Sequence, residues 1–297
     1  MRSIFGKLAA AALALFITAP AHAQWENMDP NPGTKQIVHD GSAIYALKDN
    51  GNIWQFAGGR WNQIDNGIGT RMIAADNGRA YAMKDDGRVF RFTFGQWQAI
   101  GSKGSRQVCA AGMDLYTLEN NDDIFMFWHG DGQWRKIDNG TRTTMITADD
   151  RNGLFVLKNS GQIFRHLGNA RFEMFDNGQG TSMIDASAGV LYTLKASGQL
   201  FRTMNGQAQQ IDDGANTLQV AGDGVNCSVL KNDGTVWTHR NEQWLHSYQQ
   251  GGVRQIAARA DEVVALRPDG ILIARQGNFG GQASDIRVQN FENLYNK

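Results

Sequence analysis

Residues 61–92 read WNQIDNGIGTRMIAADNGRAYAMKDDGRVFRF. The stretch holds four short apolar segments, Trp61–Ile64, Arg71–Ala74, Arg79–Met83 and Arg88–Phe92. Each alternates at period two and is bounded by Gly, Asn or Asp. Alternation sends successive side chains to opposite faces of a pleated strand, and the bounding residues tolerate tight-turn backbone geometry. No window of the chain sustains helical periodicity over a dozen residues. The stretch therefore reads as four strands joined by tight turns.

The same frame recurs along the chain. Its turn anchors are Gly51-Asn52-Ile53, Gly87-Arg88-Val89, Asp122-Asp123-Ile124, Gly161-Gln162-Ile163, Gly198-Gln199-Leu200, Gly234-Thr235-Val236 and Gly270-Ile271-Leu272, spaced 36, 35, 39, 37, 36 and 36 residues apart. Seven four-stranded units of this length predict an all-β, seven-bladed propeller of antiparallel blades around a central channel. A linear solenoid would need atypical capping repeats, and both terminal units here look ordinary.

The second strand carries Ile37, Ile73, Val108, Ile146, Ile184, Val220 and Ile256 at one position. Two residues later stand His39, Ala75, Ala110, Ala148, Ala186, Gly222 and Ala258. Small side chains suit a crowded axis, so this strand is placed innermost. The aromatic-led strand is placed outermost: Trp25, Trp61, Trp97, Trp134, Phe172 and Trp244, with Ala208 as the exception. After Ile273 no aromatic-led copy follows. Trp25–Met28 is thus expected to pair with residues 271–275, complete the last blade and leave no bare sheet edge.

Composition agrees with a folded, aromatic-rich core: eight Trp, fifteen Phe and six Tyr, with 35 Gly for turns. Two Cys exclude a disulfide scaffold and a four-Cys metal site. Cys109 and Cys227 fall in the third and sixth units, nearly opposite each other in a seven-fold ring, and so are expected unbridged. Arg2 and Lys7, the apolar run at 8–19 and Ala21-His22-Ala23 read as a secretory signal cleaved after Ala23. The expected organisation is a signal over 1–23, a propeller over 24–280 and a tail over 281–297. The expected address is secreted or periplasmic, and no later run is apolar enough to cross a bilayer. Without Arg2 and Lys7 the chain has 27 basic against 29 acidic residues, which gives no broad positive field for nucleic acid.

The repeat resembles the tectonin repeat of β-propeller lectins. Trp61-Asn62-Gln63-Ile64, Ile73-Ala74-Ala75 and Gly87-Arg88-Val89-Phe90 carry the likeness. It extends over all seven units, and departs at Ala-Ala-Asp and Tyr-x-Met-Lys, where tectonins typically carry Ser-Val-Gly and Val-Trp-Gly-Val. The resemblance implies a propeller that binds carbohydrate.

Candidate chemistry is sparse. No HExxH, no G-x-S-x-G and no Cys–His pair at ligand spacing occurs, so no enzyme, cofactor or metal is expected. The Asp-Asn-Gly turns lack the D-x-D-x-D-G order of a calcium loop. Lys48, Lys84, Lys158, Lys195, Lys231 and Arg267 end the third strand of six units, with Glu119 breaking the series, and predict a positive ring on one face. Trp61 with Asp65, Trp134 with Asp138, and Phe172 with Asp176 place an aromatic ring four residues from a carboxylate. That pairing suits the C–H face and hydroxyls of a sugar. It equally suits inter-blade packing beside a tight turn. The expected function is that of a non-enzymatic binding module recognising carbohydrate at several quasi-equivalent sites, with a periplasmic or extracellular protein-interaction scaffold as the alternative, so the expected partners are glycans or a surface protein. Equal aromatic–Asp sets around the ring would favour a lectin, and a single irregular groove would favour a protein scaffold.

Overall fold

The computed structural model describes residues 25–275 except 30–31, 66–67, 102–103, 139–140, 150, 152, 213 and 215. The expected signal and tail lie outside the described residues, as do Asn66-Gly67, Asn139-Gly140 and Asp213.

Seven four-stranded antiparallel sheets form the ring. The innermost strands of blades 1 to 7 are Thr34–His39, Thr70–Asp76, Ser105–Ala111, Thr143–Asp149, Thr181–Ser187, Thr217–Asp223 and Gln255–Arg259. The outermost strands of blades 1 to 6 are Arg60–Asp65, Gln96–Gly101, Gln133–Asp138, Phe172–Asp176, Gln207–Asp212 and Gln243–Tyr248. Trp25–Asp29 is the outermost strand of blade 7. It pairs antiparallel with Gly270–Arg275, setting Trp25 opposite Ala274 and Glu26 opposite Ile273. The chain ends therefore close the ring by backbone pairing, as the missing aromatic-led copy implied.

Blades pack through complementary sizes. Tyr45, Tyr81, Tyr116, Phe155 and Tyr192 recur at one position of the strand next to the innermost and are buried. The next blade's innermost strand faces each ring with a small residue: Ala75, Ala110, Ala148 and Ala186 share hydrophobic clusters with the first four. A Cβ on Gly222 would stand 2.8 Å from the Tyr192 ring. The small residues thus answer the preceding blade's aromatic ring rather than crowding at the axis itself. His39 obeys the same rule, because blade 7 carries Val264 at the tyrosine position, leaving room for an imidazole.

The innermost strands have a free edge toward the channel, and glutamine side chains bridge it. Gln36 donates to Ile73 O at 2.9 Å and accepts from Ile73 N at 2.8 Å. Gln107 does the same to Ile146, Gln219 to Ile256 and Gln255 to Ile37. One primary amide satisfies a backbone donor and acceptor together, as a neighbouring strand would. Met72, Met145 and Met183 hold the same position at the other three junctions.

Candidate functional site

The outermost aromatics are tied into the junctions between blades. Trp61 Nε1 donates to Met28 O at 3.0 Å, Trp97 to Ile64 O at 2.9 Å, Trp134 to Ile100 O at 2.5 Å, Trp244 to Ile211 O at 2.8 Å and Trp25 to Ser247 O at 2.7 Å. Each acceptor lies on the outermost strand of the preceding blade. Opposite these tryptophans, Phe56, Phe92 and Phe127 pack tilted on Trp61, Trp97 and Trp134, with ring centres 5.1 to 5.3 Å apart. Such pairs add stabilisation beyond the area they bury. All of these tryptophans are half-buried. Phe172 fills the blade 3–4 junction without an N–H to donate.

The carboxylates sit in a second recurring node. Lys84 Nζ contacts Asp65 at 3.1 Å and donates to Thr70 Oγ1 at 2.7 Å. Lys158 with Asp138 and Thr143, Lys195 with Asp176 and Thr181, Lys231 with Asp212 and Thr217, and Lys48 with Asp29 and Thr34 repeat it. Each node joins the outermost strand of one blade to the strand next to the innermost in the following blade. Exceptions change together. Glu119 replaces the lysine where Gly101 replaces the aspartate, and Glu119 binds Ser105 Oγ at 2.8 Å. Arg267 replaces it where Tyr248 stands, and those two side chains are hydrogen-bonded. The basic ring read from the sequence is thus largely neutralised within the molecule.

The six candidate residues are accordingly placed as follows. Trp61 and Trp134 each donate across a junction, and Asp65 and Asp138 bind Lys84 and Lys158. Phe172 and Asp176 lie on the outermost strand of blade 4. The Asp176 side chain is 41% exposed, against 12% for Asp65, and its lysine is 3.7 Å away.

One junction departs from the frame. Blade 5 has Thr203 opposite Ala208, where blades 1 to 4 and 6 pair two rings and blade 7 pairs Trp25 with Ala274. At this blade 4–5 junction lies a groove of about 500 Å³. Phe155, Phe175 and Leu191 give it an apolar floor, and Arg165, Glu173 and Thr203 line its sides. Phe155 and Phe175 meet edge to face, with centres 5.1 Å apart. Gly189, Asn205 and Gly206 carry the groove to the face formed by the first and third turns of each blade. Phe94, Met113, Trp128, Leu167 and Val225 are exposed on turns of that same face. The sequence pointed to this place only through Ala208, the one missing aromatic.

The channel encloses about 270 Å³ and has a polar mouth on that same face. Arg259 reaches from blade 7 past Gly41 of blade 1 to Asp76 of blade 2, Nη2 to Oδ1 at 2.9 Å. His39 Nε2 lies 2.9 Å from Glu262 Oε2. Burial pushes the Asp185 carboxyl up to about 7, although Gly222 N donates to it at 2.7 Å. Cys109 on the channel wall and Cys227 are both unbridged, and burial raises both thiols, which suppresses the reactive thiolate.

No family model and no curated protein matches the sequence. Solved structures match in fold. YCF48 from Cyanidioschyzon merolae aligns with TM-score 0.65 at 15% identity, over 86% of this chain and 99% of that one. Human WBSCR16 aligns with TM-score 0.67 at 7% identity, over 82% and 87%. PorZ, a surface component of the type-IX secretion system of Porphyromonas gingivalis, aligns with TM-score 0.63 at 12% identity; it covers 83% of this chain, which spans 37% of the PorZ chain. At these identities the likeness is one of fold. No helix among the described residues is long and apolar enough to cross a membrane.

Proposed function

We propose that this chain is an exported, non-enzymatic binding module that holds a polypeptide partner on the face formed by the first and third turns of each blade. The observation that carries the reading is the break in the seven-fold frame at the blade 4–5 junction, which opens a groove onto that face. Phe94, Met113, Trp128, Leu167 and Val225, from blades 2, 3, 4 and 6, add exposed apolar side chains to the same face. The positively charged start, apolar run and small-x-small site of residues 1–23 support export. A second propeller of this shape, YCF48, has been solved bound to a D1 peptide, which lends the reading an analogy of fold. Photo-crosslinking residues at positions 94 and 128 should capture one polypeptide in the producing cell, and residues at positions 68 and 218 on the opposite face should not. Equal capture from both faces, or none from either, overturns the reading.

A tectonin-like lectin is the second reading. Trp61, Trp134 and Phe172 are only half-buried, although each stands at the other end of its strand from Asp65, Asp138 and Asp176, so a sugar would have to lie along the strand to meet both. A glycan array with the mature chain tests it. Calorimetric stoichiometry in Asp65→Asn, Asp138→Asn and the double variant should then fall site by site; unchanged stoichiometry removes these pairs.

A further inference from the structure

Five outermost strands present an indole, and each indole donates to a carbonyl on the preceding blade's outermost strand. Ala208 is the register equivalent of those tryptophans, and Phe175 carries the equivalent carbonyl. Thr203 stands where Phe56, Phe92 and Phe127 pack on their tryptophans. Both rings of the pair are therefore missing from one junction, and a groove occupies their place.

The wall that serves a ring is still present. Arg165 lines the groove at the register position of Arg91, whose guanidinium lies 5.6 Å from the centre of the Phe127 ring in the following blade. A guanidinium against an aromatic face is attractive, and more so where water is excluded. The groove thus combines an aromatic floor, a cationic wall and a backbone acceptor. At the blade 2–3 junction that combination surrounds a ring pair, with Arg91 on Phe127, Phe127 packed on Trp134 and the Trp134 indole donating to Ile100 O.

We propose that the blade 4–5 groove receives the side chain of a tryptophan presented by a polypeptide partner, with the indole N–H donating to Phe175 O and the ring lying against Arg165 and the Phe155–Phe175 floor. This rests on the protein-docking reading of the face onto which the groove opens. A phenylalanine would fill space without supplying the hydrogen bond. A buried site built around a donor discriminates against ligands that lack one.

The probe is a capped tripeptide, N-acetyl-glycyl-fluorotryptophyl-glycinamide, followed by fluorine NMR, which the chain's own tryptophans leave undisturbed. Binding should saturate at one site per chain and shift the backbone amides of Gly189 and Gly206. The 1-methyltryptophan version, which has no N–H, should bind about 5- to 10-fold more weakly, the effect of one hydrogen bond. Ala208→Trp supplies the chain's own indole; it should weaken the probe at least tenfold while melting at or above the wild-type temperature. If that variant misfolds, Arg165→Met serves, with a several-fold loss expected in a folded protein. Equal binding by the methylated probe, undiminished binding by folded Ala208→Trp, or no binding at all overturns the proposal. Saturation of the same amides by a simple sugar, lost in Ala208→Trp, overturns it as well. Crosslinks from positions 94 and 128 that persist when the probe fails would overturn the indole alone and leave the docking face standing.

Discussion

The junction between blades 1 and 2 and the junction between blades 4 and 5 are cut from one repeat, yet three of the devices that tighten the first are weaker in the second. At the outer edge, Trp97 donates to Ile64 O and packs on Phe92; the second junction has Ala208 and Thr203. At the channel, Gln36 clasps the Ile73 backbone; the second junction has Met145 there. On the opposite face, Asp65 contacts Lys84 at 3.1 Å with 12% of its side chain exposed, whereas Asp176 lies 3.7 Å from Lys195 and is 41% exposed. Side chains are retained where they seal a seam. Three simultaneous relaxations at one seam mark it as the place where the ring gives up internal packing, and open surface of that kind is where a partner can supply the missing ring.

The strongest way to break this comparison acts on the closing strand. Deleting residues 24–29 removes the Trp25 bond to Ser247 O, the Met28 O acceptor for Trp61 and the pairing with Gly270–Arg275. The expected loss is about 5 kcal/mol or more, a fall in Tm on the order of 10 °C. An unchanged melt in a monomeric product would mean that strand pairing does not close the ring.

Next comes the ring itself. Trp97→Ala should cost about 3–5 kcal/mol, because it removes a packed indole and leaves a cavity and an unpaired carbonyl. Thr203→Ala at the open junction should cost less than about 1 kcal/mol. Chemical denaturation of both variants measures the gap, and equal costs would erase the distinction between sealed and open seams.

A smaller effect is expected one junction further on, at Asp185, which accepts from Gly222 N of blade 6. Burial raises its carboxyl to about 7 in the folded chain. Unfolded, it ionises near its ordinary value, so between about pH 4 and pH 7 the folded state binds the extra proton. Stability therefore falls as pH rises through that window. Asp185→Asn should remove a fall on the order of 1–2 kcal/mol, read as the difference in urea midpoints at pH 4.5 and pH 7.5. Parallel pH dependence in the wild type and the variant would mean that water in the channel solvates the carboxylate fully.

The finest test compares the nodes. Asp65→Asn should cost about 1 kcal/mol through the half-buried Lys84, and Asp176→Asn a few tenths at most, since an exposed, longer pair contributes little. Reversal of that order would place the tighter node at the open junction.

Period-two alternation, turn residues and the 36-residue spacing determined the seven blades, because each is local and each strand buries its faces in the same way. The missing C-terminal aromatic copy determined the closing strand by simple count, and the small residues picked out the innermost strand. Local sequence could not separate the two roles of Trp61 and Asp65, since a ring four residues from a carboxylate has the same spacing as a sugar platform and as a seam. Only the tertiary structure puts Trp61 Nε1 on Met28 O and Asp65 on Lys84, contacts made across blades by residues about twenty to thirty-three apart. It also decided what Ala208 means. In the sequence it is one irregular letter; in the ring it coincides with Thr203, Met145 and the exposed Asp176, because a blade junction gathers residues from four strands of two blades that no single stretch of chain contains.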